Sequence, residues 1–482
     1  MRARSISLHI LALLLLAIPV VLAQGLPELG EPSQAAFTPL QERLLGQSIM
    51  REARRDSTYY DDAEVTDYVA RVGNRLASRG SDTRQEFEFF MMRDPQINAF
   101  ALPGGYIGVH TGLVMAAQSE SEMAGVLAHE ISHVTQRHIA RMINNQQSSQ
   151  WVSLAAMALA ILAARTNSQM AEAAAAIGPA LAIQQQLNFS RDFEREADRM
   201  GLQLLEKAGF DPQGMVLFFE RLQRATRIYE GGAPSYLRTH PVTHERIADI
   251  QNRAQELPYR QVPDHIDFHL VRAKLKAEFE APREAIAFFR DGLVEKRFLS
   301  EAGSRYGLTA ALLRTRDFAG ARREFIALRV LLKSNAMVET LGCRIRLAAG
   351  DAEALTCFRD ALQAFPGYRA LVYDYAEALL QARRAEAALK VVDSRLANYP
   401  DDHRLYLFQA RAHALLNRRL AQHRSQAEAY ARMGSVSAAI EQLQIGLKAG
   451  DGDYYQMSSA EARLRQLRAQ DAEERKDAAR KK

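Results

Sequence analysis

The sequence predicts a mainly α-helical chain in two parts: an N-terminal domain of helices with a small β-sheet, then a C-terminal solenoid of helical pairs. Three observations predict it. The texture changes near residue 260, from strand-like runs mixed with helices and Gly/Pro turns to nearly uninterrupted Ala/Leu/Arg-rich helical spacing. Within the second part a pattern recurs at 34 residues, and within the first a strand-like run, Ile97 to Val109, precedes a helix opening at Ser119. At 482 residues there is chain for roughly three units of about 150. With 48% hydrophobic and 25% charged residues, the composition excludes collagen-like, mucin-like and wholly disordered classes. A mean hydropathy of -0.24 speaks against a polytopic membrane protein.

In chain order, the first segment is a leader. Arg2 and Arg4 precede an apolar run from Leu8 to Leu22, and Val21-Leu22-Ala23 sets a small residue before Gln24. That is the pattern of a secretory signal peptide spanning 1–23, with an uncleaved anchor as the alternative. The N-terminal domain is expected over 24–258 and the repeat domain over 264–482, with Gln255 to Pro263 as the linker. The net charge of +5 does not argue for nucleic acid, because the basic residues are spread through amphipathic helices and mixed with acids.

The repeat is read from particular residues. Phe365-Pro366-Gly367 recurs as Tyr399-Pro400-Asp401, and the same shift of 34 carries Ala354-Leu355 onto Ala388-Leu389 and Leu362 onto Leu396. One unit earlier, Ala321 and Phe325 anticipate Ala354 and Phe358 at 33. This is the period of tetratricopeptide repeats, in which small residues let paired helices approach. Weaker units are expected near Ala281 and Ala427, and a generic helical bundle is the alternative. Such a solenoid offers a concave surface to a polypeptide partner. Cys343 and Cys357 lie seven residues either side of Gly350, the expected turn of a helical hairpin. They either form a disulfide or remain two small buried thiols.

The chemistry lies in the N-terminal half. Ser119-Glu120-Ser121-Glu122 has the form of a capping box opening a helix through about Met142. On it stands His129-Glu130-Ile131-Ser132-His133. Four residues is just over one turn, so the two imidazoles project from nearly one face and can share a tetrahedral zinc ion, one per chain. Glu130 then points about 100° aside, toward the attacking water. A third ligand should come from a second element. Glu194 and Asp198 stand one turn apart in Phe193-Glu194-Arg195-Glu196-Ala197-Asp198, so Glu194 would ligate and Asp198 could accept the free ring N–H of a ligating histidine. Glu196 is the competing ligand, but it lacks a carboxylate one turn later.

Taken together, Ile97 to Val109, H-E-x-x-H, Ser190-Arg191-Asp192-Phe193-Glu194-x-x-Ala197-Asp198, and His240-Pro241 with Arg246-Ile247 resemble the zinc metallopeptidases related to the CAAX prenyl endopeptidase and the bacterial heat-shock membrane protease. The leader and repeat tail make the chain most similar to the periplasmic, repeat-bearing branch that serves outer-membrane barrel assembly. The resemblance implies a zincin-like, gluzincin-type metalloprotease domain with a small sheet, followed by a tetratricopeptide solenoid. By position, His129, His133 and Glu194 would bind zinc, and Glu130 would act as general base and then proton donor. His240 would sit at the cleft, able to occupy the metal's open position and keep the enzyme latent, with Arg246 supporting that loop. Val242-Thr243-His244-Glu245 departs from the family, where a second proline and an acid are common, so His244 rivals His240. His240 is favoured because it directly precedes Pro241. Ala99, Phe100, Gly104 and Gly105 belong to a run that is either an edge strand pairing with extended substrate or an internal hairpin.

The resemblance also implies a function: endoproteolysis of unfolded or misassembled envelope proteins in the periplasm, with the repeats docking on the barrel assembly machinery. The alternative is a chaperone or scaffold whose metal site stays latent. Other histidines are read as structural. His138 is taken for a surface residue about 140° round the helix from His133, His110 for a structural one, and His265 with His269 for a pair lacking a third ligand. Trp151 to Ala164 and Ala171 to Ile183 are apolar, but shorter than the 18 or so residues of a span. They are either buried flap helices or a shallow peripheral membrane contact.

Overall fold

The computed structural model describes residues 37–80, 85–145, 190–226, 235–258 and 260–480. The expected leader and the two apolar stretches within 151–183 lie outside the described residues.

Thr38 caps helix α1 (Pro39–Ala53) in a reciprocal box with Gln41. Asp62 caps α2 (Ala63–Ala77), where Val65, Val69, Val72 and Leu76 recur at helical spacing and are buried. A three-stranded sheet follows, made of β1 (Glu88–Met92), β2 (Ala99–Leu102) and β3 (Tyr106–His110). Its order is β1-β3-β2, with β3 parallel to β1 and antiparallel to β2. β2 and β3 form a hairpin, and among the described residues β2 lies at the sheet edge. Gly104 and Gly105 make the turn at φ 81° and 89°, and a Cβ on Gly105 would fall 2.1 Å from the Glu86 carbonyl oxygen.

The short α3 (Thr111–Ala116) leads to α4 (Glu120–Thr135), capped by Ser119, whose side chain accepts from the Glu122 amide. Glu122 in turn accepts from the Gln118 amide rather than from Ser119. Because α4 is buried from Glu120 through His133, it forms the centre of the domain, packed by α2, β2, α6 (Arg191–Lys207) and α7 (Gln213–Thr226). The helix does not run on to Met142 as expected. It stops at Thr135, Arg137 turns left-handed at φ 51°, and α5 (His138–Asn145) sets off anew. This is a helix stop without glycine, held by the Arg137 guanidinium on the Phe37 carbonyl at 2.6 Å. Two further helices, α8 (Ser235–Thr239) and α9 (His244–Glu256), complete the domain, with Thr243 capping α9.

From α10 (Ile266–Phe279) onward, helices pair through short turns. Ala321, Ala354 and Ala388 are buried on the second helices of successive pairs, where small side chains permit close approach. The first pair begins earlier than the weak match near Ala281: Ala285 and Phe289 sit on its second helix, Pro282–Val294. Cys343 and Cys357 are joined in a disulfide that ties Ala336–Ala348 to Ala354–Ala364 across Gly350.

The solenoid is fastened to the N-terminal domain by a shared core. Val65 and Ile131 belong to the same buried cluster as Phe268, Tyr306 and Leu341. Ions reinforce it: fully buried Glu64 meets Lys274, and Arg344 at 3.0 Å, while Lys274 Nζ lies 2.6 Å from Asp62. Among the described residues no helix is long and apolar enough to cross a membrane.

Candidate active site

α4 presents His129 and His133 one turn apart, and α6 supplies Glu194. The two helices can approach because of Gly201, where an added Cβ would lie only 3.1 Å from the His129 backbone nitrogen. His133 Nε2 lies 2.9 Å from His129 Nε2, and the two oxygens of Glu194 lie 3.5 Å from these nitrogens. His240, in the turn after α8, brings Nδ1 to 3.4 Å from His129 Nε2 and 2.9 Å from Glu194 Oε1. All four ligand atoms fall within 4.8 Å of one another, and every one of these side chains is buried. A tetrahedral site with bonds of about 2.0–2.1 Å has edges near 3.3 Å, so the spacing and the donor set of imidazoles with one carboxylate fit a zinc ion.

The electrostatics separate the two glutamates. Glu130 lies fully buried beside the group, 3.5 Å from His240 Nε2. Burial pushes its carboxyl above the ordinary range. Burial pushes Glu194 the same way, but His240, His129 and His133 around it prevail and hold it well below the usual carboxylate range.

Outside the group, Asp198 Oδ1 faces His129 Nδ1 at 3.0 Å. Arg246 grips Asp198 with two bonds, from Nε at 2.7 Å and Nη2 at 2.8 Å. Its Nη1 reaches Glu194 Oε2 and donates to the Pro241 carbonyl, both at 2.8 Å. One buried guanidinium therefore ties two carboxylates of α6 to the loop that carries His240. Helix α8, which precedes that loop, is tied to the connection between β1 and β2, since the Tyr236 amide donates to the Ile97 carbonyl at 3.2 Å.

Residues 63–254 match peptidase family M48, and residues 347–412 match a tetratricopeptide repeat. The beta-barrel assembly-enhancing protease of Escherichia coli strain K12 is 31% identical over 450 residues, 92% of this chain and 92% of that one. The chain belongs to peptidase family M48. A Vibrio cholerae protein provisionally named beta-barrel assembly-enhancing protease is 41% identical over 254 residues, 53% of this chain and 52% of its own. The mitochondrial metalloendopeptidase OMA1 of Schizosaccharomyces pombe is 35% identical over 198 residues, 41% of this chain and 55% of its own. As an M48 metallopeptidase followed by tetratricopeptide helices, the chain has the architecture that its motifs imply.

Within this M48 domain His129, Glu130, His133, Glu194, Asp198, His240 and Arg246 converge, while the rivals lie elsewhere. Glu196 turns to Arg141 at 2.9 Å and His138 at 3.2 Å, and His244 is exposed at the start of α9. Ala99 and Phe100 lie buried in β2, which packs on α4, and Gly104 and Gly105 form its turn. His110 is buried 3.5 Å from Asp94, His265 caps α10, and His269 faces Asp264 at 3.3 Å. His138 overturns the surface reading. It is fully buried with Nδ1 2.9 Å from His133 Nδ1, because the break at Arg137 cancels the helical-wheel angle on which that reading rested. Tyr236 went unnoticed in the sequence. Its ring stacks on His240 at 4.7 Å, and its hydroxyl is buried without a hydrogen-bond partner among the described residues. The spacing of four residues to His240 on a short helix was the available signal.

Proposed function

We propose that this M48 peptidase is a zinc-dependent endopeptidase of the periplasm that removes misassembled outer-membrane proteins and assists their assembly. The repeat domain docks partners from the barrel assembly machinery. The observation that carries this reading is the buried imidazole–carboxylate group with the buried carboxylate of Glu130 beside it. Alignment over 92% of the chain with a relative named for barrel assembly supports the setting. In this reading residues 1–23 are a cleaved signal peptide, 24–258 the peptidase and 264–482 the repeat domain.

His129, His133 and Glu194 would hold zinc, which supplies Lewis-acid polarisation of the scissile carbonyl and lowers the pKa of water toward neutrality. Glu130 takes the proton of the attacking water and passes it to the departing amine, from its buried position beside the group. Asp198 orients His129, and Arg246 keeps Asp198 ionised and holds Glu194 in place. β2, with Ala99 and Phe100 and the Gly104-Gly105 turn, offers a sheet edge to an extended substrate. An unfolded chain can lie extended along that edge. His240 is the resting fourth donor, and its departure with the loop opens the site.

That fourth donor also favours a second reading, a scaffold in which the site stays latent. His240→Ala separates the two. Faster cleavage of unfolded casein by the variant supports a restrained peptidase, whereas no cleavage by either form, with zinc bound and the chain folded, supports the scaffold. Co-purification with outer-membrane barrels that survives Glu130→Gln supports an assembly role beyond degradation.

A further inference from the structure

We infer that His138 is a positioning residue for the metal site: it holds His133 in the tautomer and ring orientation that present Nε2 to zinc, and Glu196 with Arg141 fixes His138 in turn. The inference rests on the metal-site reading above. His133 Nε2 faces His129 and Glu194, at 2.9 and 3.5 Å, so ligation through that atom requires the ring proton on Nδ1. Nδ1 meets His138 Nδ1 at 2.9 Å. That atom can accept only when the His138 proton sits on Nε2, and Nε2 faces an acceptor, Glu196 Oε2, at 3.2 Å. Arg141 Nη1 then donates to Glu196 Oε2 at 2.9 Å. Each partner fixes the next, and one proton arrangement satisfies the whole chain.

Packing holds the ring in this pose. Phe193 stacks on His138 with centroids 4.6 Å apart and planes 10° from parallel, and Arg141 lies over Phe193 at 4.7 Å. The two α4 histidines are thus supported in matching ways, each through an outer partner that ends on an arginine. His129 is backed by Asp198 and Arg246, and His133 by His138, Glu196 and Arg141. The chain reversal at Arg137 makes the second arrangement possible, because it returns residue 138 to the end of the helix that His133 occupies. Glu196, a rival ligand in the sequence, serves the site from outside it.

The test uses the full mature protein and measures zinc affinity by competition with a chromophoric chelator, together with the visible spectrum of the cobalt(II)-substituted form. His138→Leu should weaken zinc binding about 10- to 100-fold and alter the cobalt spectrum. His138→Asn, whose side-chain oxygen falls near the position of Nδ1, should recover most of the loss; a merely structural role would not show this rescue. Folded His138→Leu with zinc affinity within about twofold of the parent overturns the inference. Should His138→Leu not fold, Glu196→Leu at its half-buried position provides the same test, and an unchanged affinity and cobalt spectrum there overturns it equally. Failure of the parent protein to bind zinc overturns the metal-site reading and this inference with it, whereas a null confined to the variants overturns this inference alone.

Discussion

Replacing Arg246 by leucine removes a guanidinium that meets both Asp198 and Glu194 in a buried setting. Breaking a buried pair by deleting one partner costs about 3–5 kcal/mol, since it strands a charge away from water. Here Asp198 keeps His129 and Glu194 keeps three imidazoles, which places the loss near the lower end, about 3 kcal/mol. In a domain of this size one kcal/mol moves Tm by about 2–4 °C, so the metal-free variant should melt roughly 6–12 °C below the parent. Zinc would neutralise Glu194, so the deficit should shrink when the metal is restored. Arg246→Lys should recover only part of it, because an ammonium cannot reproduce the two-bonded grip on Asp198. Thermal melts of the three proteins, with chelator and with added zinc, measure all of this. A chelated Arg246→Leu protein melting within about 1 °C of the parent would refute the reasoning.

Three further outcomes are expected. Burial pushes Asp62 up, but Lys274 and Arg344 prevail and hold it below the usual carboxylate range. Its contribution is therefore present above the unfolded pKa of about 3.9 and lost as pH falls through the lower folded value. Acid unfolding monitored by circular dichroism should show that limb below about pH 4, and Asp62→Asn should flatten it. Reducing Cys343–Cys357, which closes a separation of 14 residues, should destabilise the repeat helices by about 3 kcal/mol. A urea midpoint unmoved by reductant would contradict this. Gly201→Ala should force α6 away from the His129 backbone at a cost of about 1–3 kcal/mol and weaken zinc binding in a metal titration; unchanged affinity would mean that the helices do not need so close an approach.

Much of the site was legible because it obeys local periods. The H-E-x-x-H spacing, the Ser119 cap and the i, i+4 relation of Glu194 to Asp198 are one-helix properties, as is the 34-residue recurrence that places Ala354 and Ala388. What escaped depends on breaks in those periods or on contacts between distant segments. His138 was misjudged because Arg137 ends α4 in a left-handed conformation that usually announces itself through glycine or asparagine. Glu64 meets Lys274 and Arg344 from 210 and 280 residues away, and no periodicity encodes such a pairing. Tyr236 lies on a helix too short to declare a face.

The proposed function stands on His129, His133 and Glu194 holding a metal and on Glu130 moving the proton in peptide hydrolysis. The most direct test is cleavage of unfolded casein by the purified mature protein, beside Glu130→Gln, with and without chelator. The parent should cleave in a manner that chelator abolishes and zinc restores, and Glu130→Gln should bind zinc yet cleave at least about a hundredfold more slowly. Undiminished cleavage by Glu130→Gln, or by the chelated parent, would contradict it.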